Sequence, residues 1–233
     1  MSTANQTTTR THHHAHHYQS VAHEYDTSKQ GVWLFLVTEI LMFGGLFVGY
    51  AYYHHIFPDI FKIGSTFTDW RLGAANTVVL LFSSLTMALA IYFTQTNERQ
   101  KARWMLLITI LCGAGFMIIK YFEYSHKIHL GLMPGAWYNA DPQVVLEHVR
   151  QTYPTLTELP ENLPLYFSFY YMMTGLHGIH VMIGMSLIFW IWLRFGRGWY
   201  GAGHFTGVEG VGLFWHLIDL IWIYLFPLLY LVV

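Results

Sequence analysis

We single out five of the ionisable side chains that lie inside long apolar stretches of this sequence, where groups able to do chemistry are rare. They are Glu39, His177, His180, His216 and Asp219. Burying an ionisable group at membrane depth is costly, and such groups commonly carry protons or ions, contact a ligand, or pair with one another. We take these five residues as the candidate intramembrane polar or lipid-cleft site.

Spacing arranges four of these residues in pairs. His177 and His180 are three residues apart, as are His216 and Asp219, so each pair shares one face of a helix. Helix rise puts Glu39 and Asp219 at a similar depth, each roughly 9 to 12 Å from the same end of its helix. An imidazole opposite a carboxylate would lower the cost of burying either group. Spacing alone does not select the partner of Glu39.

Two interpretations of this polar set stay open. The groups either form hydrogen bonds that lock helices together, or they serve a functional or lipid-related role. Because His177 and His180 share a helix face, they cannot ligate one haem from opposite sides, and the sequence predicts no catalytic, cofactor-binding or metal site. A membrane di-iron enzyme would need a larger set of histidines. A transporter would be expected to show broken helices or internal repeats.

The elements that must position these groups are membrane-spanning helices. Hydrophobic residues make up 54% of the chain and charged residues 11%, against roughly 25% charged in soluble domains. Each of five apolar runs can cross about 30 Å of hydrocarbon as a helix. These runs are 31–53, 72–94, 104–124, 165–193 and 213–233. The predicted fold is an all-α integral membrane bundle of five helices, a single domain over residues 29–233.

Charge and cysteine content exclude other classes. A net charge of −1 gives no indication of nucleic acid binding, and a lone cysteine, Cys112, leaves no disulfide within the chain. Residues 1–28 are polar and rich in histidine, which predicts a mobile tail. A histidine tract of this kind without fixed geometry is more typical of adventitious than of functional metal binding.

Orientation follows from the basic residues near the ends of the runs. One side carries Arg10, Lys29, Arg99, Lys101, Arg103, Arg194 and Arg197, and the other carries Lys62, Arg71, Lys127 and Arg150. The richer side is predicted to be cytoplasmic. This places the amino terminus and the tail inside, and the carboxyl terminus and residues 125–164 outside. Within that external segment, Asp141 followed by Pro142 predicts the start of a short surface helix.

Small residues mark the faces where helices are expected to approach closely. In the first run, Gly44, Gly45 and Gly49 follow Glu39. In the fourth run, the histidines are flanked by Gly175, Gly178 and Gly184. We therefore expect close backbone contact on both faces.

Five motifs of this sequence resemble subunit III of the haem-copper respiratory oxidases, and they follow one another along the chain in the order of that family. They are VTEILMF at 37–43, TGLHGIHV at 174–181 and WHLIDLIW at 215–222, with NT at 76–77 and YFEY at 121–124. The resemblance covers about residues 28–233. In this family, Glu39 corresponds to an intramembrane carboxylate known for reacting with dicyclohexylcarbodiimide, and His180 to a histidine often placed near it.

The resemblance implies an accessory subunit of a terminal oxidase in a prokaryotic inner membrane, most simply a cytochrome c oxidase. Such a complex reduces oxygen to water and pumps protons, with its haem and copper in subunits I and II. Subunit III itself holds phospholipid, stabilises subunit I and supports proton or oxygen supply. The implied partners are subunits I and II, other respiratory subunits and membrane lipid. A quinol oxidase subunit III or a nitric oxide reductase accessory protein is the alternative.

The sequence departs from the family pattern in two places. Larger members have seven spans, and this chain begins at the equivalent of their third, so part of the lipid cleft is expected to be missing or supplied by another chain. The external segment is also longer than the usual connection in the family. We expect this insert to contact a partner particular to the complex.

Overall fold

The computed structural model describes residues 21–197, 199–201 and 205–232 and shows an all-helical chain in these ranges. The helices are α1 (Val21–Ile56), α2 (Pro58–Ser65), α3 (Trp70–Gln95), α4 (Arg99–His129), α5 (Pro142–Arg150), α6 (Leu163–Gly196) and α7 (Thr206–Tyr230). A 3₁₀ turn, Gly135–Trp137, precedes α5. By length and apolar composition, α1, α3, α4, α6 and α7 can each cross a membrane, so the predicted five-span bundle is confirmed.

The spanning helices extend beyond the predicted apolar runs. For example, α4 continues to His129, and α7 begins at Thr206 rather than at 213. Apolar composition marks the hydrocarbon layer, whereas backbone hydrogen bonding continues into the polar interface. The connection between α4 and α6 is therefore shorter than the predicted 125–164.

The predicted mobile tail, 1–28, overlaps the first helix. Residues 21–28 belong to α1, and they are held because the Tyr25 hydroxyl donates to Glu209 Oε2 at 3.0 Å and the Tyr25 ring packs edge-on against Phe205. The histidine tract at 12–17 lies outside the described residues. The short helix expected after Asp141 is α5, whose first turn is capped by the Asp141 carboxylate accepting from Gln143 N at 2.9 Å.

The core of the bundle is built around α7. Of the apolar 18-residue stretch of α7, 44% is buried inside the bundle, against 11% of the corresponding stretch of α1. Helix α1 therefore lies at the edge of the bundle. Trp215 of α7 is fully buried, and its Nε1 donates to Ser83 Oγ on α3 at 3.1 Å. A Cβ added to Gly184 on α6 would lie 2.8 Å from this indole, so only glycine fits there.

The other glycines named from the sequence do not all mark close contacts within this chain. A Cβ added at Gly44, Gly45 or Gly178 would meet no atom within 4 Å. The predicted close approach is confirmed at Gly184, and at these three positions it is not made within this chain. These glycines lie on faces that leave open space.

The two ends of the bundle differ in character. One end carries Arg99, Lys101, Arg103, Arg194 and Arg197 and is called here the Arg-rich end. It is tied together by Glu209, which accepts from Tyr25 and from Gln95 Nε2 at 3.1 Å. The opposite end carries α2 and α5 and is called the α5 end. The side of the membrane that each end faces stays a prediction.

At the α5 end, side chains satisfy the last carbonyls of α7, which have no partner within the helix. Tyr166 of α6 donates to Leu229 O at 2.9 Å, Thr68 donates to the same oxygen at 3.2 Å, and the Tyr50 hydroxyl of α1 donates to Leu228 O. These bonds attach α1 and α6 to the end of the central helix. The Tyr50 bond fixes the position of α1 along its axis relative to α7, and α1 has few other contacts with the bundle.

Candidate functional site

Glu39 and His180 form a direct pair between α1 and α6. Glu39 Oε2 lies 2.9 Å from His180 Nε2, and the side chains are 15% and 12% exposed. The imidazole is packed edge-on against Phe43 at a centroid distance of 5.3 Å and lies 6.3 Å from the Phe214 ring. The structure thus places the histidine implied by the family resemblance against the carboxylate.

The second hydrogen bond of His180 determines how the pair holds its proton. His180 Nδ1 lies 2.7 Å from Leu176 O, which can only accept, so Nδ1 carries a hydrogen. The hydrogen bond to Glu39 then requires one proton between Nε2 and Oε2. The pair is either a neutral imidazole with a carboxylic acid or an imidazolium with a carboxylate. It has no net charge in either state and can hold a proton at the bundle surface.

His177 does not join this pair. Its side chain is fully buried, and it packs against Phe116 of α4 at 5.5 Å and Trp222 of α7 at 5.2 Å between ring centroids. Neither ring nitrogen has a hydrogen-bond partner in the described part of the chain. Although spacing places both histidines on one side of α6, they face different neighbours.

His216 and Asp219 contact α3 rather than Glu39. His216 Nδ1 lies 2.6 Å from Ser84 Oγ, and Asp219 Oδ2 lies 3.4 Å from Ser83 Oγ. Asp219 is 3% exposed, so these polar contacts lie inside the bundle. The five candidate residues therefore belong to three separate places: the α1–α6 pair, the α6 core histidine and the α3–α7 contact.

A charged cluster that the sequence analysis missed lies deeper in the bundle. Glu123 of α4 accepts from Lys120 Nζ at 3.0 Å and from Lys127 Nζ at 2.6 Å. The hydroxyls of Tyr170 on α6 and Tyr230 on α7 donate to the same carboxylate at 2.8 and 2.7 Å. The three charged side chains are at most 7% exposed. This cluster joins α4, α6 and α7 at the α5 end.

The signal for this cluster was present in the sequence. Lys120 lies within an apolar run, and Glu123 and Lys127 follow it at the three- and four-residue spacing that brings side chains together on a helix. From the sequence, Glu123 was assigned only to the motif YFEY at 121–124, and Lys127 was assigned to the charges outside the membrane. The structure shows that Lys127 is 1% exposed and belongs to the buried cluster.

Two apolar grooves flank the outer face of α6. The groove between α1 and α6 has a volume of about 490 Å³, and the groove between α4 and α6 about 420 Å³. Gly175 and Ile179 line both grooves. The first groove includes Met42, one turn beyond Glu39, so it begins beside the Glu39–His180 pair. Among the described residues, no three His, Cys, Asp or Glu side chains are grouped to hold a metal ion.

A family model and individual relatives both match this chain, and both are subunits III of respiratory oxidases. The family described as cytochrome c oxidase subunit III matches residues 5–137 and 162–232. A probable quinol oxidase subunit 3 of Staphylococcus aureus (strain USA300) is 24% identical over 213 residues, covering 91% of this chain and 92% of the relative. The protein of that name from Staphylococcus epidermidis is 23% identical over 220 residues, covering 94% and 96%.

The family match agrees with the layout of the helices. It includes all five spanning helices and omits 138–161, the part of the α4–α6 connection that contains α5. It also includes both residues of the Glu39–His180 pair. This multi-pass, all-helical chain belongs to the cytochrome c oxidase subunit III family of the haem-copper oxidases.

Proposed function

We propose that this chain is the accessory, non-redox subunit of a terminal respiratory oxidase in a prokaryotic inner membrane, where it stabilises the catalytic subunit I and holds phospholipid beside it. The observation that carries the proposal is the Glu39–His180 pair on the open α1–α6 face of a chain of this family. In the complex, haem and copper belong to subunits I and II, which reduce oxygen and pump protons. This chain supports their proton or oxygen supply without a redox centre.

The exposed face of α1 supports a role in contact with subunit I. Ile40 and Leu41 are 53% and 69% exposed, and Gly44 and Gly45 leave room for a neighbouring backbone. A polar pair beside an apolar, glycine-bearing face suits close packing of another transmembrane helix, which would complete its burial. Subunit II and other respiratory subunits complete the assembly.

The grooves beside α6 support the holding of phospholipid. Both are lined almost entirely by apolar atoms and lie along a membrane-spanning helix. A lipid acyl chain lying in the α1–α6 groove would cover Met42 and Leu46 beside Glu39. Lipid held there would sit between this bundle and subunit I.

Charge asymmetry supports a cytoplasmic amino terminus and an external carboxyl terminus. With Lys127 assigned to the buried cluster, the described basic residues of the α5 end are Lys62, Arg71 and Arg150. The Arg-rich end has five, and Lys29 lies in the first turns of α1 on the same side. Basic residues of short loops concentrate on the cytoplasmic side.

Two electron donors are compatible with this family. Cytochrome c is the donor that the family description names. Quinol is favoured by the names of the relatives, which are probable quinol oxidase subunits covered over more than nine-tenths of their length. The donor is selected by subunit II, so the choice depends on a partner rather than on residues of this chain.

Affinity purification of the tagged chain from its native membrane tests the proposal. We expect subunit I, with haem and copper, to co-purify and the complex to consume oxygen. A subunit II with a binuclear copper motif and activity with reduced cytochrome c would identify one donor, and activity with quinol alone the other. The chain purified by itself should show no haem absorbance. Recovery with no haem-copper subunit, or stoichiometric haem in the isolated chain, would contradict the proposal.

A further inference from the structure

The groove between α4 and α6 has a polar end and an apolar end. Its volume of about 420 Å³ is within the range of small-molecule sites, roughly 300 to 1,000 Å³. Lys120, Tyr124 and Thr174 line it toward the α5 end, and Phe116 and Met182 line it toward the middle of the bundle. This arrangement suits a ligand with a polar head near the membrane surface and an apolar tail.

The hydrogen bonds of Tyr124 determine what the polar end can recognise. Thr174 Oγ1 lies 2.6 Å from Tyr170 O, which can only accept, so the hydroxyl hydrogen of Thr174 is committed to that carbonyl. The 2.5 Å bond between Tyr124 Oη and Thr174 Oγ1 is therefore donated by the tyrosine. A Cβ added to Gly175 in the groove wall would lie 3.9 Å from Tyr124 Oη. This oxygen thus presents lone pairs, as an acceptor, at the groove.

Lys120 offers the groove no free donor. Its ammonium group donates to Glu123 Oε2 at 3.0 Å and to the hydroxyls of Tyr170 and Tyr230, each at 2.9 Å. An ammonium group has three hydrogens, so all of them are used inside the bundle. A phosphate or carboxylate, which can only accept, would find no donor at Lys120 or Tyr124. A ligand hydroxyl, which can donate, would find Tyr124 Oη.

The wall of α6 that faces Tyr124 is flat. Gly175 and Gly178 are three residues apart, hence on one side of α6, and both line the groove. A Cβ added at Gly178 would meet no atom within 4 Å, so the space beside this backbone is open. The rings of Phe116 and Tyr121 line the α4 side. A planar ring can lie along bare backbone and contact these aromatic side chains.

We propose that the α4–α6 groove binds the ring of an isoprenoid quinol. One ring hydroxyl donates to Tyr124 Oη, and the tail extends past Phe116 and Met182 toward the middle of the bilayer. The oxidised quinone has carbonyl oxygens in place of hydroxyls, so it can bond Tyr124 only by breaking the bond to Thr174. The groove therefore favours the reduced form. This inference rests on the proposed function for the presence of quinol in the membrane, and it assigns no redox step to this chain.

Binding of decylubiquinol to the full chain in phosphatidylcholine nanodiscs tests the site. Retained ligand is measured by native mass spectrometry without oxygen, and decylubiquinone, the oxidised form, is compared. Wild-type protein should bind the quinol about five- to tenfold more tightly than the quinone, the effect of one hydrogen bond. Tyr124→Phe keeps the ring but removes the acceptor, and should abolish this preference. Equal affinity of wild type for the two forms would overturn the proposal.

Two further variants locate the ligand. Tyr171→Phe removes a hydroxyl from the neighbouring α1–α6 groove, where it has no hydrogen-bond partner among the described residues, and should leave binding unchanged. Gly178→Leu should abolish binding, because its side chain enters the open space of the groove. An unchanged midpoint of thermal unfolding shows that each variant is folded. Full quinol binding by the folded Gly178 variant would refute the site.

Competition separates the other amphiphiles. The acyl chain proposed above occupies the other groove, so phosphatidylglycerol should not displace the quinol, and neither should farnesol, an isoprenoid alcohol without a ring. Displacement by phosphatidylglycerol would identify a phospholipid site, and displacement by farnesol would show that the ring is not recognised. Either result overturns the proposal. Because binding is measured on the isolated chain, its failure would leave the oxidase assignment intact, which the recovery of haem-copper subunits tests separately.

Discussion

Replacing Glu123 by glutamine should destabilise the folded bundle by on the order of 3 to 5 kcal/mol, the largest effect expected from a single substitution in this chain. The change removes the carboxylate that accepts from Lys120 and Lys127 and leaves two ammonium groups buried without a counter-charge. It also removes the charged acceptor of Tyr170 and Tyr230, which joins α6 and α7 to α4. The measurement is the free energy of unfolding of the chain in mixed detergent micelles.

Glu98→Gln provides the matched control for this prediction. Glu98 pairs with Lys101 at the other end of α4, again at a spacing of three residues, but the Lys101 and Glu98 side chains are 62% and 43% exposed. Solvent-exposed pairs of this kind contribute about 0 to 1 kcal/mol. Combining Glu123→Gln with Lys120→Met and Lys127→Met removes the buried charges together and should restore part of the stability. Equal stability of the Glu123 and Glu98 variants would show that the cluster does not hold the helices together.

Substitution of Glu39 should shorten the working life of the oxidase complex more than it lowers the initial turnover. The chain is proposed to hold no redox centre, so the initial rate should change by no more than a few fold, a barrier change on the order of 1 kcal/mol. Glu39→Gln can still donate to His180 Nε2, because His180 carries its hydrogen at Nδ1. Glu39→Ala leaves that nitrogen without a partner, and should inactivate the complex sooner than the glutamine variant does.

Oxygen uptake followed to inactivation measures this prediction, with the content of the chain in each complex checked by gel. Labelling by dicyclohexylcarbodiimide should be lost in both Glu39 variants, because the reagent modifies a carboxyl group and both substitutions remove it. Asp219→Asn is the control, since Asp219 is a buried carboxylate that contacts Ser83 rather than a histidine. It should leave labelling intact. An immediate hundredfold loss of turnover with the chain still bound would make Glu39 a direct proton donor.

The five spans and α5 could be predicted from the sequence because their signals are local. Apolar length determines which segments cross hydrocarbon, and Asp141 with Pro142 starts α5 through a capping bond within the same few residues. The pairing of Glu39 with His180 is not local. It depends on how α1 and α6 are rotated and at what depth they meet, which spacing within one helix does not specify.

The histidines of α6 show the limit of spacing arguments. Residues three apart on a helix differ by about 60° in direction. That angle suffices to place His180 at the α1 contact and His177 against Trp222 of α7. Spacing placed the two side chains on one side of α6, but it could not show that they face different neighbouring helices.

The glycines and the buried cluster were misjudged for related reasons. Gly44 and Gly184 are both glycines within apolar runs. Only at Gly184 does a side chain of this chain occupy the space beside the glycine. A small residue permits close packing of a helix, but it does not determine whether that helix belongs to the same chain or to a partner. Lys120 and Glu123 lie inside the run 104–124 but were left out of the candidate set, although the spacing of 120, 123 and 127 predicts a charge cluster within one helix.

The oxidase complex isolated from cells that lack this chain tests the accessory role most directly. Its haem spectrum, its initial oxygen uptake and its activity over many turnovers should be compared with those of the complete complex. We expect an unchanged haem content and an initial rate within a few fold, followed by faster inactivation that added wild-type chain prevents. Loss of haem absorbance, or complete loss of the initial rate while subunit I remains folded, would show that this chain contributes to the redox chemistry itself.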